Sequence, residues 1–257
     1  MPFMVEMHTD IGIRKETNQD SICVKEAQTD KGNILLAIIC DGMGGLEKGE
    51  VASATIIKTF SKWFENDLPY QLSSENALGE VEYSWNRMIK EQNQSIAAYG
   101  RNHHIQLGST ITAMLFLEDG KYLIGHVGDS RAYKITDNEI EILTEDQTLV
   151  AREVKMGRMT PEQAERDPRR NVLLQCIGAS KVVEPTFICG NYNKNECYML
   201  CSDGFRHVVT ANEIQNFFAP SQNSNEKIMK DNIVQLIELN KERQETDNIS
   251  SILIKII

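Results

Sequence analysis

The sequence lacks several features that would signal a membrane or nucleic-acid partner. No apolar run is long enough to cross a bilayer, and the first residues show no basic region followed by an apolar core. Lys and Arg form no local run, and the formal net charge is -10, which disfavours general binding of polyanions. We therefore expect no membrane partner, no nucleic-acid partner and a cytoplasmic location.

Linkers and zinc-type cysteine spacings are also missing. No segment rich in Pro, Gly or Ser divides the 257 residues, so we expect a single domain over 1–257. The six cysteines have no close paired spacing and lie mostly within apolar runs, so we interpret them as reduced core residues. They are Cys23, Cys40, Cys176, Cys189, Cys197 and Cys201.

Short alternating or apolar runs and long amphipathic runs occur in separate blocks. The predicted strands are Phe3–Ile11, Ser21–Ala27, Asn33–Cys40, Thr110–Leu117, Tyr122–Val127, Arg131–Ile135, Ile140–Leu143, Thr186–Gly190, Glu196–Cys201 and Ile249–Ile257. The predicted helices are Glu47–Phe64, Ser74–Tyr99, Ala211–Phe218 and Asn225–Leu239. Thr144–Ala179 is charged and interrupted by Gly and Pro, which indicates an excursion from the sheet. This order favours an α+β layered fold over repeated βαβ units.

The most informative stretch runs from Asn33 to Gly49. An apolar strand ends at Asp41 and is followed by Gly42, Gly44 and Gly45, which allow close approach of the backbone to a ligand. One interpretation is a carboxylate that binds a ligand at the end of a buried strand. A tight turn capped by an aspartate remains an equally open interpretation.

Asp20, Asp129, Asp203 and Asp247 repeat this pattern, because each adjoins a predicted strand. Each alone is typical of a turn or a helix cap. Together with Asp41 they would repel one another at one sheet edge unless hard cations neutralised them. Oxygen ligands of this kind favour magnesium or manganese over zinc. Two such ions can activate a shared water for attack on phosphorus, which requires no covalent nucleophile.

Seven motifs occur in order along almost the whole chain: N-Q-D-S, D-G-M-G-G, G-S-T-I-T-A, V-G-D-S-R-A-Y, L-T-E-D, L-C-S-D-G and D-N-I-S. This series resembles the metal-dependent protein phosphatase family of the 2C type, in its compact bacterial form. The resemblance implies a four-layer αββα sandwich, in which helix pairs flank two central antiparallel sheets. It also implies that residues 144–179 form a flap beside the substrate groove.

The resemblance further assigns roles to individual residues. It implies that two Mn or Mg ions are bound by Asp20, Asp41, Asp203 and Asp247, with the Gly42 carbonyl serving the second ion. Asp129 corresponds to the residue that, together with Asp203, helps to hold a third and weaker ion.

The chain departs from the family pattern at the phosphate-binding arginine. Counting back from Asp20 favours Lys15 for this role, whereas residue type favours Arg14, whose planar guanidinium can bind two phosphate oxygens. We expect Arg14 to bind the phosphate, with Lys15 as the alternative, although either could be a solvated charge.

A second departure concerns protonation of the leaving group. Met43, which cannot donate a proton, stands where eukaryotic members have a histidine. The alternatives are that metal-linked water or a flap residue supplies the proton, or that an aryl phosphate needs none. We interpret His126 and His207 as packed or solvated. Asp146 and Asp167 lie in or beside the flap, and we interpret each as a helix cap or a surface charge, with a contact to the third metal as the open alternative.

The leading functional hypothesis is a protein serine/threonine phosphatase that uses a metal-activated water. The expected partners are phosphorylated proteins and, from the habit of the family, a Ser/Thr protein kinase and its substrates, with the enzyme itself a monomer. An inactive member that binds phosphoproteins as a regulator is the alternative. A third possibility is a metal phosphoesterase that acts on small molecules or nucleic acid.

Overall fold

The computed structural model describes residues 2–30, 32–43 and 48–257. The strands in these ranges are β1 (Phe3–Asp10), β2 (Asp20–Thr29), β3 (Gly32–Met43), β4 (Gly108–Ser109), β5 (Ile111–Phe116), β6 (Lys121–Val127), β7 (Arg131–Ile135), β8 (Ile140–Ile142), β9 (Thr186–Asn191), β10 (Cys197–Cys201) and β11 (Ile249–Ile256). The helices are α1 (Gly49–Asn66), α2 (Leu68–Gln71), α3 (Ala77–His103), α4 (Leu149–Lys155), α5 (Pro161–Arg166), α6 (Asp203–Arg206), α7 (Ala211–Phe218) and α8 (Glu226–Glu242).

Two antiparallel sheets contain these strands. One sheet has the order β1-β11-β10-β7-β8, and the other has the order β2-β3-β5-β6-β9, with β4 paired to β3. The strands β1 and β11 are neighbours although they come from opposite ends of the sequence. Because strands distant in sequence pair with each other, residues from both halves of the chain reach the same sheet edge.

Side-chain packing produces four layers. Leu35, Ala37 and Ile39 of β3 pack in a core between the sheets with residues such as Leu200 and Ile252 of the other sheet. The alternate β3 residues pack against α1 and α3, and a third core joins the first sheet to α7 and α8. Burial on both faces explains the continuous apolar sequence of β3. The predicted αββα sandwich is confirmed.

The predicted flap, residues 144–179, contains α4 and α5. The side chains of Thr148 and Thr160 cap these two helices, and Thr160 forms a capping box with Gln163. Bridges from Thr148 to Leu173 and from Ser109 to Ile177 tie the flap to itself and to β4. The excursion predicted from the charged, Pro-interrupted sequence therefore has its own helical structure.

Three further sequence predictions concern the cysteines, the glycine-rich segment after Met43 and membrane-spanning helices. All six cysteines are free, but the expectation that all lie in the core is wrong for Cys189, which is exposed because β9 is the outer strand of its sheet. Gly44, Gly45 and the predicted start of the first helix at Glu47 lie outside the described residues. In the part of the chain described, no helix combines the length and the apolar character needed to cross a bilayer.

Candidate active site

A small cavity of about 220 Å³ opens where the ends of several strands meet. Four predicted aspartates line it: Asp41 lies in β3, Asp203 begins α6, and Asp129 and Asp247 lie in the loops before β7 and β11. The lining residues that the sequence singled out are Lys15, Asp41, Gly42, Met43, Asp129, Asp203 and Asp247. The remaining lining residues are Thr110, Asn171 and Leu173. The fold therefore gathers residues that are as much as 232 positions apart (247 − 15) into one acidic cavity.

Asp20 lies directly beside this group. It is the Cα partner of Asp41 across the β2–β3 ladder, and it is buried. Its Oδ2 accepts a hydrogen bond of 2.6 Å from the Ser250 hydroxyl, whereas its Oδ1 is buried without a partner among the described residues. Asp203 Oδ1 is buried and unpartnered in the same way. Unsatisfied buried carboxylate oxygens are costly and mark positions where a ligand belongs.

The electrostatics of the group follow from burial and like charge. Burial, followed by repulsion from Asp203 and Asp247, raises the pKa of Asp20 to about 7. Burial and Asp203 also raise the pKa of Asp129 to about 7. The pKa of Asp41 is raised well above its usual range by burial and then by Asp20 and Asp203. A bound cation would remove this penalty by favouring the ionised forms.

The oxygen-only donor set fits a hard divalent cation. Within the described residues, no three His, Cys, Asp or Glu side chains converge closely enough to enclose one ion. Magnesium commonly keeps several waters and takes only one or two protein carboxylates. The unpartnered Asp20 and Asp203 oxygens would supply such carboxylates, and Gly42 lines the cavity beside Asp203.

Glycine is required at position 42 because two other backbone segments lie very close to it. Its N–H donates a hydrogen bond of 3.1 Å to the Gln19 carbonyl. A Cβ at Gly42 would lie 2.4 Å from the carbonyl oxygen of Gly49 and 2.5 Å from that of Gln19. No other residue fits between these two backbone segments, so packing of the chain requires glycine here. The close approach of this glycine to a ligand stays a prediction.

Lys15 and Arg14 have different surroundings. Lys15 Nζ lies 2.8 Å from Asp247 Oδ1 and lines the cavity. Burial lowers the pKa of Lys15, but the hydrogen bond and charge of Asp247 outweigh it, so the net pKa is raised and the side chain stays cationic. Arg14 is exposed and is not among the residues that line the cavity. The geometry therefore favours Lys15 over the expected Arg14.

Two polar residues of the last motif were not singled out from the sequence. Asn248 accepts a hydrogen bond of 2.9 Å from Gln19 N–H and donates one of 2.9 Å to the Ile11 carbonyl. Ser250 is the donor to Asp20 described above. These contacts hold the loop between β1 and β2 against the start of β11, and they thereby position Lys15 and Asp20. The D-N-I-S motif contained both residues, but only its aspartate was assigned a role.

Asp146 is neither a helix cap nor a surface charge, so that prediction is wrong. Its carboxylate accepts hydrogen bonds of 2.7 Å and 2.8 Å from Arg131, and one of 3.2 Å from Arg206. Arg206 also donates to the Asp129 carbonyl at 2.9 Å. We call Arg131, Asp146 and Arg206 the arginine clamp. In contrast, Asp167 pairs with the exposed Arg169, as a surface charge would.

The two histidines are both packed. His126 is buried between the Thr112 hydroxyl and the Glu145 carbonyl, and burial lowers its pKa to about 4. His207 lies 3.4 Å from Asp203 and 3.3 Å from Glu245. Burial opposes its charged form, but Glu245 and Asp203 raise its pKa overall.

The flap residues that line the cavity, Asn171 and Leu173, cannot transfer a proton at neutral pH.

Comparison with known proteins identifies the family. The model of the family described as protein phosphatase 2C matches residues 12–238. The chain belongs to the protein phosphatase 2C family. The predicted family and enzyme class are therefore confirmed.

Individual relatives match along most of the chain. The serine/threonine phosphatase stp of Listeria welshimeri is 31% identical, with 86% of this chain and 85% of the relative covered. The serine/threonine phosphatase of S. agalactiae has the same fold, with a TM-score of 0.86, 29% identity and 100% of both chains covered. The catalytic domain of the serine threonine protein phosphatase PstP, in complex with 2 manganese ions, gives a TM-score of 0.79 at 26% identity, with 99% of this chain and 98% of that chain covered.

Proposed function

We propose that this protein phosphatase 2C member hydrolyses phosphoserine and phosphothreonine on proteins, in a reaction that depends on divalent cations. The observation that carries the proposal is the cavity in which Asp41, Asp129, Asp203 and Asp247 converge beside the buried Asp20. The names of its relatives as serine/threonine phosphatases support the same activity. An inactive regulator has no support, because every carboxylate that the motifs predict is present.

The metal assignment rests on the donor set and on a relative. PstP is known in complex with 2 manganese ions. We assign two Mn or Mg ions here to Asp20, Asp41, Asp203, Asp247 and the Gly42 carbonyl, and a third, weaker ion to Asp129 with Asp203. Bound ions of this type lower the pKa of a water and neutralise the charge of phosphoryl oxygens. The carboxylates would hold these ions in the acidic cavity, where the ions would supply this chemistry.

The protein's own side chains bind and orient the phosphate. Lys15 Nζ donates to a phosphoryl oxygen, and its pairing with Asp247 directs it into the cavity. No serine, cysteine or histidine is among the described residues that line the cavity. The Thr110 hydroxyl is already bonded to Asp41 N–H and Ser130, each at 2.9 Å. Direct attack by water, which converts the phosphomonoester and water into alcohol and phosphate, therefore fits better than a covalent phosphoenzyme.

The biological setting follows from the substrate class. We propose that a Ser/Thr protein kinase phosphorylates the proteins that this enzyme dephosphorylates, and that the enzyme acts in the cytoplasm as a monomer. The interpretation of residues 1–257 as one domain stays a prediction. These points rest on the resemblance to the family and on composition, not on any one contact.

The test is manganese-dependent release of phosphate from a phosphothreonine peptide by the wild type and by Asp203→Asn. Asp231→Asn, which removes an exposed carboxylate on α8, is the matched control. We expect turnover in the wild type and the control, loss of turnover in Asp203→Asn, and weaker manganese binding to Asp203→Asn by calorimetry. Full turnover by Asp203→Asn, or turnover that survives EDTA, would contradict the proposal.

A further inference from the structure

His207 lies between two carboxylates that belong to different segments of the chain. Its Nε2 is 3.4 Å from Asp203 Oδ2, and its Nδ1 is 3.3 Å from Glu245 Oε2. Each ring nitrogen therefore faces an acceptor oxygen, and the imidazole spans the gap between α6 and the loop before β11. The three side chains are largely buried, with exposed fractions of 13% for His207, 9% for Asp203 and 7% for Glu245. We call His207 and Glu245 the histidine bridge.

The local fold sets the contact between His207 and Asp203. Asp203 is the first residue of α6, and His207 follows the last residue of that helix with helical φ and ψ angles of −66° and −37°. Residues four positions apart lie on the same face of a helix, so the imidazole reaches the aspartate. It meets Asp203 at Oδ2, whereas Oδ1 is the oxygen that is buried without a partner among the described residues. The contact therefore occupies one oxygen and leaves the other for a ligand.

The carboxylate of Glu245 holds the backbone of a second cavity residue. Its Oε1 accepts hydrogen bonds from the N–H groups of Thr246 at 2.7 Å and Asp247 at 2.9 Å. Its Oε2 is the oxygen that faces His207. Because one carboxylate binds both His207 and the Asp247 N–H, a shift at either end is passed to the other. The bridge thus connects Asp203 to Asp247, two of the aspartates that line the acidic cavity.

Other contacts hold the two backbone segments together without the bridge. Asn240 Nδ2 donates to the Phe205 carbonyl at 3.0 Å, and the Glu245 N–H donates to the Asn240 carbonyl at 3.0 Å. A Cβ at Gly204 would lie 2.2 Å from the Asn248 carbonyl oxygen, so α6 also packs directly against the residue before β11. These contacts fix the main chain. The property left for the histidine bridge to set is the orientation of the cavity carboxylates.

We propose that His207 and Glu245 are positioning residues for the divalent cations, because they fix Asp203 and Asp247 relative to each other. They act through these two aspartates and not through the substrate. The proposal rests on the proposed phosphatase function, since it concerns the ions assigned to that reaction. Removal of a group that orients the ligands of a metal commonly costs about 10- to 100-fold in metal affinity or activity.

The experiment measures the manganese affinity of the full chain by calorimetry, in the absence of substrate. We expect His207→Ala and Glu245→Ala each to bind manganese at least about tenfold more weakly than the wild type. His207→Gln should retain most of the affinity, because its amide nitrogen can donate to Asp203 from the position of Nε2. Glu245→Gln should also retain it, because Oε1 still accepts the two backbone N–H groups. His103→Ala, which alters an exposed histidine on α3, is the control and should match the wild type.

A double variant tests whether the two residues act as one bridge. If they do, His207→Ala combined with Glu245→Ala should bind manganese about as weakly as either single variant, whereas independent residues would multiply their losses. The Tm in EDTA separates positioning from folding. A lower Tm in EDTA with unchanged manganese affinity in His207→Ala would assign the residue to the fold and overturn the proposal. Losses that multiply in the double variant would also overturn it.

Phosphate release separates the histidine bridge from the function on which it rests. If manganese affinities change as expected but the wild type releases no phosphate from a phosphothreonine peptide, the phosphatase function fails and the bridge is retained. If the wild type releases phosphate and His207→Ala binds manganese as tightly as the wild type, the bridge fails and the function is retained.

Discussion

The protein buries acidic side chains in two neighbouring regions by opposite means. In the acidic cavity, Asp20 and Asp203 each keep a buried oxygen without a partner, and the pKa of Asp20 is raised to about 7 by burial and like charge. In the arginine clamp, Asp146 is largely but not fully buried, yet hydrogen bonds from Arg131 and the charge of Arg206 outweigh that burial and lower its pKa. The clamp touches the cavity, because Arg206 also binds the Asp129 carbonyl.

The number of hydrogen-bond partners around the carboxylate distinguishes a ligand site from a structural ion pair. A buried carboxylate with complete partners stabilises the fold as it stands. A buried carboxylate without partners stabilises only a complex with something absent from the chain. Neutralising an acid should therefore have opposite consequences for folding in the two regions.

The largest effect is expected for Asp41→Asn. Turnover should fall at least about a hundredfold, as is common when the surroundings of a bound metal are altered. The free energy of unfolding in EDTA should stay the same or rise, because the change removes a charge that its neighbours repel. Phosphate release and urea unfolding measure the two quantities. A large loss of stability in the metal-free variant would assign Asp41 to the fold rather than to the site.

Asp146→Asn should act on folding instead. The variant leaves two largely buried guanidinium groups without their counter-charge, so we expect the free energy of unfolding to fall by about 3 kcal/mol. Urea unfolding measures it. Asp167→Asn removes the partner of the exposed Arg169 and should change nothing measurable. Equal effects of the two substitutions would show that the clamp contributes no more than a surface pair.

The stability of the metal-free protein should depend on pH in the direction that the raised pKa values of the cavity carboxylates set. The pKa values of Asp20 and Asp129 are about 7 in the folded state, against about 3.9 in an unfolded chain. The folded state therefore binds more protons between these values, and its stability falls as pH rises through this window. We expect the Tm in EDTA to drop by at least about 3 °C from pH of about 5 to about 8.

Manganese should restore the stability that is lost at the higher pH. In Asp20→Asn, the decrease in Tm between the two pH values should be smaller than in the wild type. The clamp should behave in the opposite way, because the lowered pKa of Asp146 gives stability that is lost only as pH falls below its usual range. A Tm in EDTA that rises between the two pH values would contradict the assignment of the cavity carboxylates.

The smallest effect is expected at the phosphate contact. Lys15→Ala should raise KM for a phosphopeptide about tenfold, the loss typical of one charge-assisted hydrogen bond. Lys15→Arg should retain most of the binding, because guanidinium also binds phosphate oxygens. Arg14→Ala is the control, since Arg14 does not line the cavity. If Arg14→Ala raises KM and Lys15→Ala does not, the assignment of Lys15 is wrong.

The layers and the acidic positions could be predicted from the sequence because they depend on local patterns. The apolar run predicted before Asp41 is buried in β3, although the strand itself continues to Met43 because Gly42 and Met43 pair with β4. The strand predicted at the apolar segment from Ile249 is present as β11, which is buried on both faces. The flap was recognised from its charge and its prolines. The family motifs then linked acids that no local pattern could place together.

The arginine clamp could not be predicted, because its partners are distant in sequence. Arg206 meets the Asp129 carbonyl across 77 positions, and no spacing rule connects them. The choice between Arg14 and Lys15 depended on the loop between β1 and β2. In that loop, Gly12 has a φ of +78° and packs so closely against the Asp247 carbonyl that a Cβ would lie 2.3 Å away. Such a path follows neither strand nor helix periodicity.

The contact between Asn248 and the Gln19 backbone can form only after most of the chain has been synthesised. It joins residues 229 positions apart, and β11 must insert between β1 and β10 to bring it about. A ribosome delivers β1 well before β11, so earlier segments can pack while Lys15 and Asp20 still lack the residues that position them. The acidic cavity therefore reaches its complete geometry only after β11 has been synthesised and has paired with β1 and β10.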